Sequence, residues 1–397
     1  MTTRRRLAIV ATHPIQYHAH WYRALAAHPQ LGLHVYYCHQ ATPPEQSQAG
    51  FGIEFDWDVP LLGGYSCSFL KNVARRPELG RFTGLDTPEI KTIIGSRQYD
   101  AVMVNGWNYK SAWQAMRACW ASGVKLMVRS DSHLHTRRSV ATRMAKTLAY
   151  HRFIPRFDAC LAAGEWSREY FLHYGARPER VFIVPHAIDD SFFAREAERL
   201  RPQRREIRKR WGLGEQAIVF AFVGKCIAKK RPLDFVRAVA QAAAHNPTIQ
   251  GIVVGDGPMR SECESFAQAR RAPVHFAGFL NQSRITEAYV ACDALVLPSN
   301  GDETWGLVVN EAMACGRLCM VSDHVGCGPD LIVPGETGMI FPLGNIAALA
   351  ESMKDSVREP ERLTSMGENA RQTIKGHSVE VAVNALVQCL EIISGGR

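Results

Sequence analysis

Two glutamates eight positions apart, Glu303 and Glu311, flank a Trp305-Gly306-Leu307 turn within the stretch Asp302–Gly316. A carboxylate accepts two hydrogen bonds side by side, so each of these acids can grip a vicinal diol of a sugar. A strand expected at Ala294–Leu297 ends at Pro298-Ser299, and a helix is expected to start near Trp305-Gly306. The N–H groups of its first turn, with the helix dipole behind them, form an anion site suited to a phosphate. A second cluster follows another strand: Phe220–Val223 ends at Gly224, and Lys225, Lys229, Lys230 and Arg231 come within the next seven residues. Cations beyond a strand end, opposite a helix N-terminus of the same sheet, would neutralise a departing diphosphate. Taken singly, Glu303 reads as a helix cap, Glu311 as a surface acid and the lysines as a basic loop. Their combination is what points to chemistry.

The elements that must position these residues follow a βαβ rhythm, short apolar runs alternating with helical patterns. In the first half strands are expected at Leu7–Ala11, Leu33–Cys38, Ala101–Val104, Lys125–Val128, Ala159–Ala162 and Val181–Val184. In the second half they are expected at Ile218–Val223, Gly251–Val254, Val274–Ala277, Ala294–Leu297, Leu318–Ser322 and Gly338–Phe341. Such a pattern over 397 residues predicts two doubly wound α/β domains, 1–195 and 196–376, facing a central cleft. Arg195–Arg210 reads as a charged join with no apolar stripe, and the C-terminal stretch 377–397 as a closing helix that packs back on the first domain. Open α/β sheets bind ligands beyond the carboxyl ends of their strands, and both clusters lie there.

The chain is 46% hydrophobic and 21% charged, which excludes a disordered protein. No apolar run reaches the roughly 20 residues that span a bilayer, and Leu7–Ala11 is too short for a signal peptide, so a cytoplasmic protein is expected. The 11 cysteines, an odd number without a CxxC pair, read as reduced thiols. The net charge of +9 sits in the first half, where residues 1–200 carry 25 Lys/Arg against 17 Asp/Glu. Arg129–Arg156 alone holds seven basic residues, Arg137 and Arg138 among them, and one acid, Asp131. That segment suits an anionic membrane face or a phosphorylated acceptor as well as a merely solvated helix. No nucleic-acid motif accompanies it.

Taken in order, these motifs resemble family 4 of the retaining GT-B glycosyltransferases. Glu303 and Glu311, with Gly306 and Leu307 between them, match the family's Glu–seven residues–Glu pattern. Gly224, Lys225 and Lys230 match its glycine-plus-cation loop. Val254–Pro258, His275–Phe279 and Val184–Asp189 are further matches. The resemblance is closest over Val181–Pro342. It implies that Glu311 holds the ribose, Glu303 the transferred sugar, and Lys225 and Lys230 the diphosphate. It also implies that Gly306 and Leu307 N–H groups meet the distal phosphate and that the nucleobase lies near Gly278-Phe279. No metal or other cofactor is implied, only a UDP- or GDP-linked sugar as co-substrate. In the first domain, Thr12–His18 replaces the family's usual glycine-rich loop with an HPIQY variant associated with bacterial members, which makes His13 and Gln16 candidates for acceptor contact. Arg129 stands where the family usually has histidine, ahead of Asp131 and His133. Asn105–Tyr109, with Trp107, is a candidate acceptor platform.

The implied activity is transfer of a sugar to a glycan, lipid-linked or small-molecule acceptor, in cell-surface polysaccharide or glycolipid synthesis, at or near the membrane's inner face. Retention without an obvious carboxylate nucleophile favours front-face departure of the diphosphate over a glycosyl-enzyme. Rival readings are a nucleotide-sugar epimerase of the same fold and a non-catalytic sugar-nucleotide-binding protein. Loss of the motif acids or cations would mark the latter, and all are present. Asp56-Trp57-Asp58 is a DxD string, a metal–nucleotide motif in another architecture, and is read as chance. The HxH pairs at His18 and His133 lack a third ligand.

Overall fold

The computed structural model describes residues 4–40, 55–136 and 138–395. Met1 to Thr3 of the basic N-terminus, and Arg137 of the basic segment, lie outside them. Contacts divide the described chain into two units. One comprises 4–40, 60–187 and 379–395; the other comprises 55–59 and 188–378.

The first unit is built on a parallel sheet of β1 (Arg5–Ala11), β2 (Leu31–Tyr37), β3 (Ser66–Phe69), β4 (Ala101–Asn105), β5 (Lys125–Ser130), β6 (Ala159–Ala162) and β7 (Val181–Ile183). Their order is β3-β2-β1-β4-β5-β6-β7. The central strands are near-continuous apolar runs because both faces are covered. Side chains alternate between faces: Ala8, Val10, Val102 and Val104 join one core, and Leu7, Ile9, Ala101 and Met103 the other. The C-terminal helix Val379–Ser394 closes the second core with Ala382, Val383, Leu386, Val387 and Leu390, a helical stripe laid on that face.

The second unit repeats the design with β8 (Ile218–Val223), β9 (Ile249–Val254), β10 (Val274–Gly278), β11 (Ala294–Leu297), β12 (Leu318–Ser322) and β13 (Gly338–Phe341). Its strand order is β10-β9-β8-β11-β12-β13, again all parallel. In both sheets the chain reverses its direction of travel after the central strand, between β1 and β4 and between β8 and β11. Each reversal opens a crevice at the strands' carboxyl ends.

Two differences from the sequence reading have simple causes. β3 was not expected, because Ser66-Cys67-Ser68-Phe69 is polar and mostly exposed. As an edge strand it needs only backbone pairing with His34–Tyr37. Arg195–Arg210, expected to bury nothing, instead forms parts of two packed helices. Phe193, Ala197, Leu200 and Ile207 are buried, and the Arg208 guanidinium donates to the carbonyls of Glu215, Ala217 and Ala291 and pairs with Asp293 at 2.8 Å. A long arginine can serve as core when several carbonyls and a carboxylate satisfy it.

Candidate active site

The crevice of the second sheet is made by the loops after β8 and β11. Gly224 takes φ 144°, a backbone shape open to glycine. Gly255 at the end of β9 must also be glycine, since a Cβ there would stand 1.9 Å from the Gly224 carbonyl oxygen. The two strand ends thus approach as bare backbone. The chain then makes a short turn through Ala228–Lys230, and Arg231, at φ 52°, leads into Pro232 and the helix Pro232–Ala243. The loop after β11 is stitched to this turn. Asn300 N donates to the Lys229 carbonyl at 2.8 Å, and Lys229 Nζ reaches the Asp302 carbonyl at 3.4 Å.

This stitching brings Lys230 and Glu303 together. Their side chains form a 2.5 Å ion pair and are only 12% and 10% exposed. Ser299 Oγ donates to the same carboxylate oxygen at 3.2 Å, and Ser322 Oγ in turn holds the Ser299 carbonyl. Burial alone would raise the Glu303 carboxyl, but Lys230 and Lys229 outweigh it and hold the group below its usual range. Lys225 goes the other way: burial first, then Lys229 and Lys230, push its ammonium down to about 8. Several cations therefore converge on one half-buried place with Glu303 among them. Such a place attracts a second anion.

The helix Leu307–Ala314 starts directly beside it. Gly306 turns the chain at φ 106°, where a Cβ would lie 2.8 Å from Leu297 Cδ2. Leu307, as expected, is in the first turn, whose N–H groups have no partner within the helix. Glu311 is buried rather than on the surface, its Oε2 accepting a 2.5 Å hydrogen bond from Tyr289 OH. Trp305, the residue before Gly306 in this turn, is buried, its indole N–H donating to Asn310 Oδ1 at 2.9 Å, so it braces the loop.

Phe279 follows β10, and its ring centroid lies 4.5 Å from that of Phe55. The Asp56-Trp57-Asp58 string has a use the sequence did not show. Asn281 Nδ2 donates to the Asp56 carbonyl at 2.7 Å, and Asp58 accepts from the backbone N and hydroxyl of Ser283, ahead of the helix Ile285–Ala291. A carboxylate at a helix start is favourable.

In the first unit the candidates separate. His13 and Gln16 lie at the carboxyl end of β1, Gln16 as the first residue of the helix Gln16–Ala27; His13 Nδ1 is 3.0 Å from Thr12 Oγ1. Arg129 is buried at the end of β5, and Asp131 stands 3.6 Å from His186 Nε2. Trp107 is no surface platform. It is buried against Tyr150, Phe153 and Phe157, because its bulk completes the core on that face. His133 is buried too, with its ring against Trp166 and its Nδ1 accepting from His135 N. Sequence reasoning missed Ser299 and Tyr289. Ser299 could have been found from its place directly after β11; Tyr289 carries no local signal.

A doubly wound pair of sheets with this acid-and-cation site at the switch point of the second defines a GT-B fold. Residues 11–187 match the family described as glycosyl transferase 4-like domain, and residues 203–373 that described as glycosyl transferases group 1. The first match falls on the half of the chain that forms the first sheet, and the second on the half that holds the acid-and-cation site. The chain is similar to an alpha-D-kanosaminyltransferase of Streptomyces kanamyceticus, 30% identical over 48% of this chain and 49% of that protein. It is equally similar to a D-inositol 3-phosphate glycosyltransferase of Rhodococcus jostii, 30% identical over 62% of this chain and 54% of that one. The chain thus spans about half the length of these curated relatives. Among solved structures, Anabaena HepE in complex with UDP superposes with TM-score 0.73 at 17% identity, over 98% of this chain and 100% of that one. A glycosyltransferase from Rickettsia africae reaches TM-score 0.77 at 13% identity, over 99% and 100%. These likenesses are of fold.

Proposed function

We propose that the protein transfers a sugar from a nucleoside-diphosphate sugar, UDP- or GDP-linked, to an acceptor, with retention at the anomeric carbon. The observation that carries this is the convergence of Lys225, Lys229 and Lys230 on Glu303 at the switch point of the second sheet, beside a helix N-terminus. The donor's diphosphate takes Lys225, Lys230 and the N–H groups of Gly306 and Leu307, and a sugar hydroxyl takes Glu303. Glu311 receives the ribose and the Gly278-Phe279 turn the base. The bond from the anomeric carbon to the diphosphate oxygen breaks while the acceptor oxygen bonds to the same face. The acceptor's proton passes to the departing oxygen. The lysines and the helix start stabilise charge growing on that oxygen, a kind of help worth about 3–4 kcal/mol per donor in comparable sites. They carry that charge in our mechanism with no divalent ion. The names of the curated relatives, both sugar transferases, and the UDP complex of the Anabaena neighbour support this reading.

We place the reaction in cell-surface glycan synthesis at the inner face of a membrane, with the helix Val140–Phe153 as the contact. Among its residues Phe153 alone is buried, while Val140, Met144 and Leu148, spaced by four, are 62%, 69% and 62% exposed. On a helical projection Arg143 and Arg152 flank that stripe on either side. Ser132–Arg156 contains no acid, so the stripe suits an anionic lipid surface.

Calorimetric titration of wild type and Glu311→Ala with UDP, GDP and their common sugar conjugates tests the donor assignment. One nucleotide should bind selectively without added metal and more weakly to the variant. A folded wild type that binds none overturns the reading.

A further inference from the structure

The crevice of the first sheet contains an arginine that the protein leaves unbalanced. Arg129 sits at the carboxyl end of β5, 6% exposed, on the face lined by Met127. Its guanidinium carbon lies 4.6 Å over the Trp21 ring. Nη2 donates to the Pro185 carbonyl at 3.3 Å and meets His186 Nδ1 at 3.2 Å. Nε has no hydrogen-bond partner. Among the described residues no carboxylate comes within ion-pair distance of this guanidinium; Asp131, the nearest in charge, stands against His186 instead. A buried cation without a carboxylate is costly. In the second unit, by contrast, the buried Arg208 has Asp293 and four carbonyls.

The surroundings carry the same mark. Asn105 is the cross-strand partner of Arg129 on β4, and its Oδ1 is buried without a partner, as is Trp21 Nε1. Orphaned polar atoms gathered at one place in a native fold ask for a ligand or an ordered water. Burial first, and then the charges of Arg129, His186, His20 and His13, depress the His18 imidazole, so these four groups all act on it. Every residue of this group stands at the end of β1, β4, β5 or β7 or on the helix after β1, around the reversal between β1 and β4, where an open α/β sheet accepts its ligand.

We propose that the carboxyl end of the first sheet binds a compact anion, a phosphate or carboxylate carried by a substrate, with Arg129 as the anchor and His18 and His186 beside it. Its residues belong to the first unit, and the lysine cluster to the second. This assignment rests on the reading of the first unit as the acceptor half and adds that the acceptor is charged; a uronate as the transferred sugar would present the same chemistry. A guanidinium suits either oxyanion because its planar fork matches two oxygens at once.

The test titrates inorganic phosphate, then glucose 6-phosphate and glucose, into the whole chain saturated with UDP, so that the lysine cluster is already occupied. Wild type and Arg129→Lys should bind phosphate and prefer glucose 6-phosphate to glucose. Arg129→Gln should lose at least about tenfold in phosphate affinity, the size expected for a charge-assisted hydrogen bond. A parallel comparison of UDP-glucuronate with UDP-glucose separates the sources. A charge preference there that vanishes in Arg129→Gln assigns the anion to the transferred sugar; one confined to glucose 6-phosphate assigns it to the acceptor. Equal affinity for charged and neutral ligands in wild type, or an unchanged preference in folded Arg129→Gln, overturns the proposal. Should Arg129→Gln fail to fold, the imidazole proton resonances of His18 and His186 in wild type decide. They shift on adding phosphate if the site exists and stay fixed if it does not. Should UDP fail to bind, the donor reading falls by itself, and the phosphate titration proceeds in Lys230→Ala.

Discussion

At the scale of residues, the site is an electrostatic balance, and each member shifts it in a definite direction. Among the described residues Lys230 has one carboxylate partner, Glu303, at 2.5 Å. Lys230→Ala should lower kcat about a hundredfold or more, since a donor at the departing oxygen is lost. Release of the nucleoside diphosphate over time, with circular dichroism to confirm folding, checks this. Near-normal turnover would remove the diphosphate assignment. Lys225 gives a pH signature. Its ammonium is pushed down to about 8, so the free site loses charge as the pH rises through that value, and a bound diphosphate opposes the loss. Nucleotide affinity should therefore fall between pH 7 and pH 9, and Lys225→Arg, which keeps its charge, should flatten the decline. An identical profile in that variant would clear Lys225 of the effect.

At the scale of elements, the helix Val140–Phe153 stands out as one that packs little of itself. A serine cap holds its start, Ser139 Oγ accepting from Thr142 N, and Phe153 seats its end. Between them its apolar stripe is left to solvent, and exposed apolar patches of this kind mark contact surfaces. Met144→Glu should abolish sedimentation with vesicles rich in anionic lipid while leaving nucleotide affinity untouched. Wild type should release such vesicles as salt rises, through screening of Arg143 and Arg152. Unchanged co-sedimentation of the variant would move the contact elsewhere.

At the scale of the whole molecule, the chain is not divided at a single point. Residues 55–59 belong with the second unit although first-unit strands precede and follow them, and residues 379–395 return to the first. The Asp58–Ser283 contact joins positions 225 apart in sequence. A double-mutant cycle of Asp58→Ala and Ser283→Ala should show a coupling of about 0.5–1.5 kcal/mol in chemical denaturation. Strict additivity would mean that the segment does not rest there in solution.

Much of this was legible in the chain. Parallel strands buried on both faces are apolar runs, so most strands could be read off, and so could the glycine and lysine positions at their ends. The Glu303–Glu311 spacing was visible because both acids ride one loop and its helix. What spacing could not reveal was which side chains meet. Glu311 turns inward to Tyr289, Trp305 and Trp107 serve as packing, Lys230 closes on Glu303, and Asp58 reaches Ser283. Each of these depends on contacts between segments distant along the chain. The same is true of Arg129. By type and position it is one more cation in a basic stretch, and only folding shows that Trp21, Asn105 and His186 surround it with no carboxylate in ion-pair distance among the described residues. Local patterns encode the period and ends of elements because those follow from neighbouring residues. Burial and partnership arise only when the sheets assemble, and there the structure alone decided.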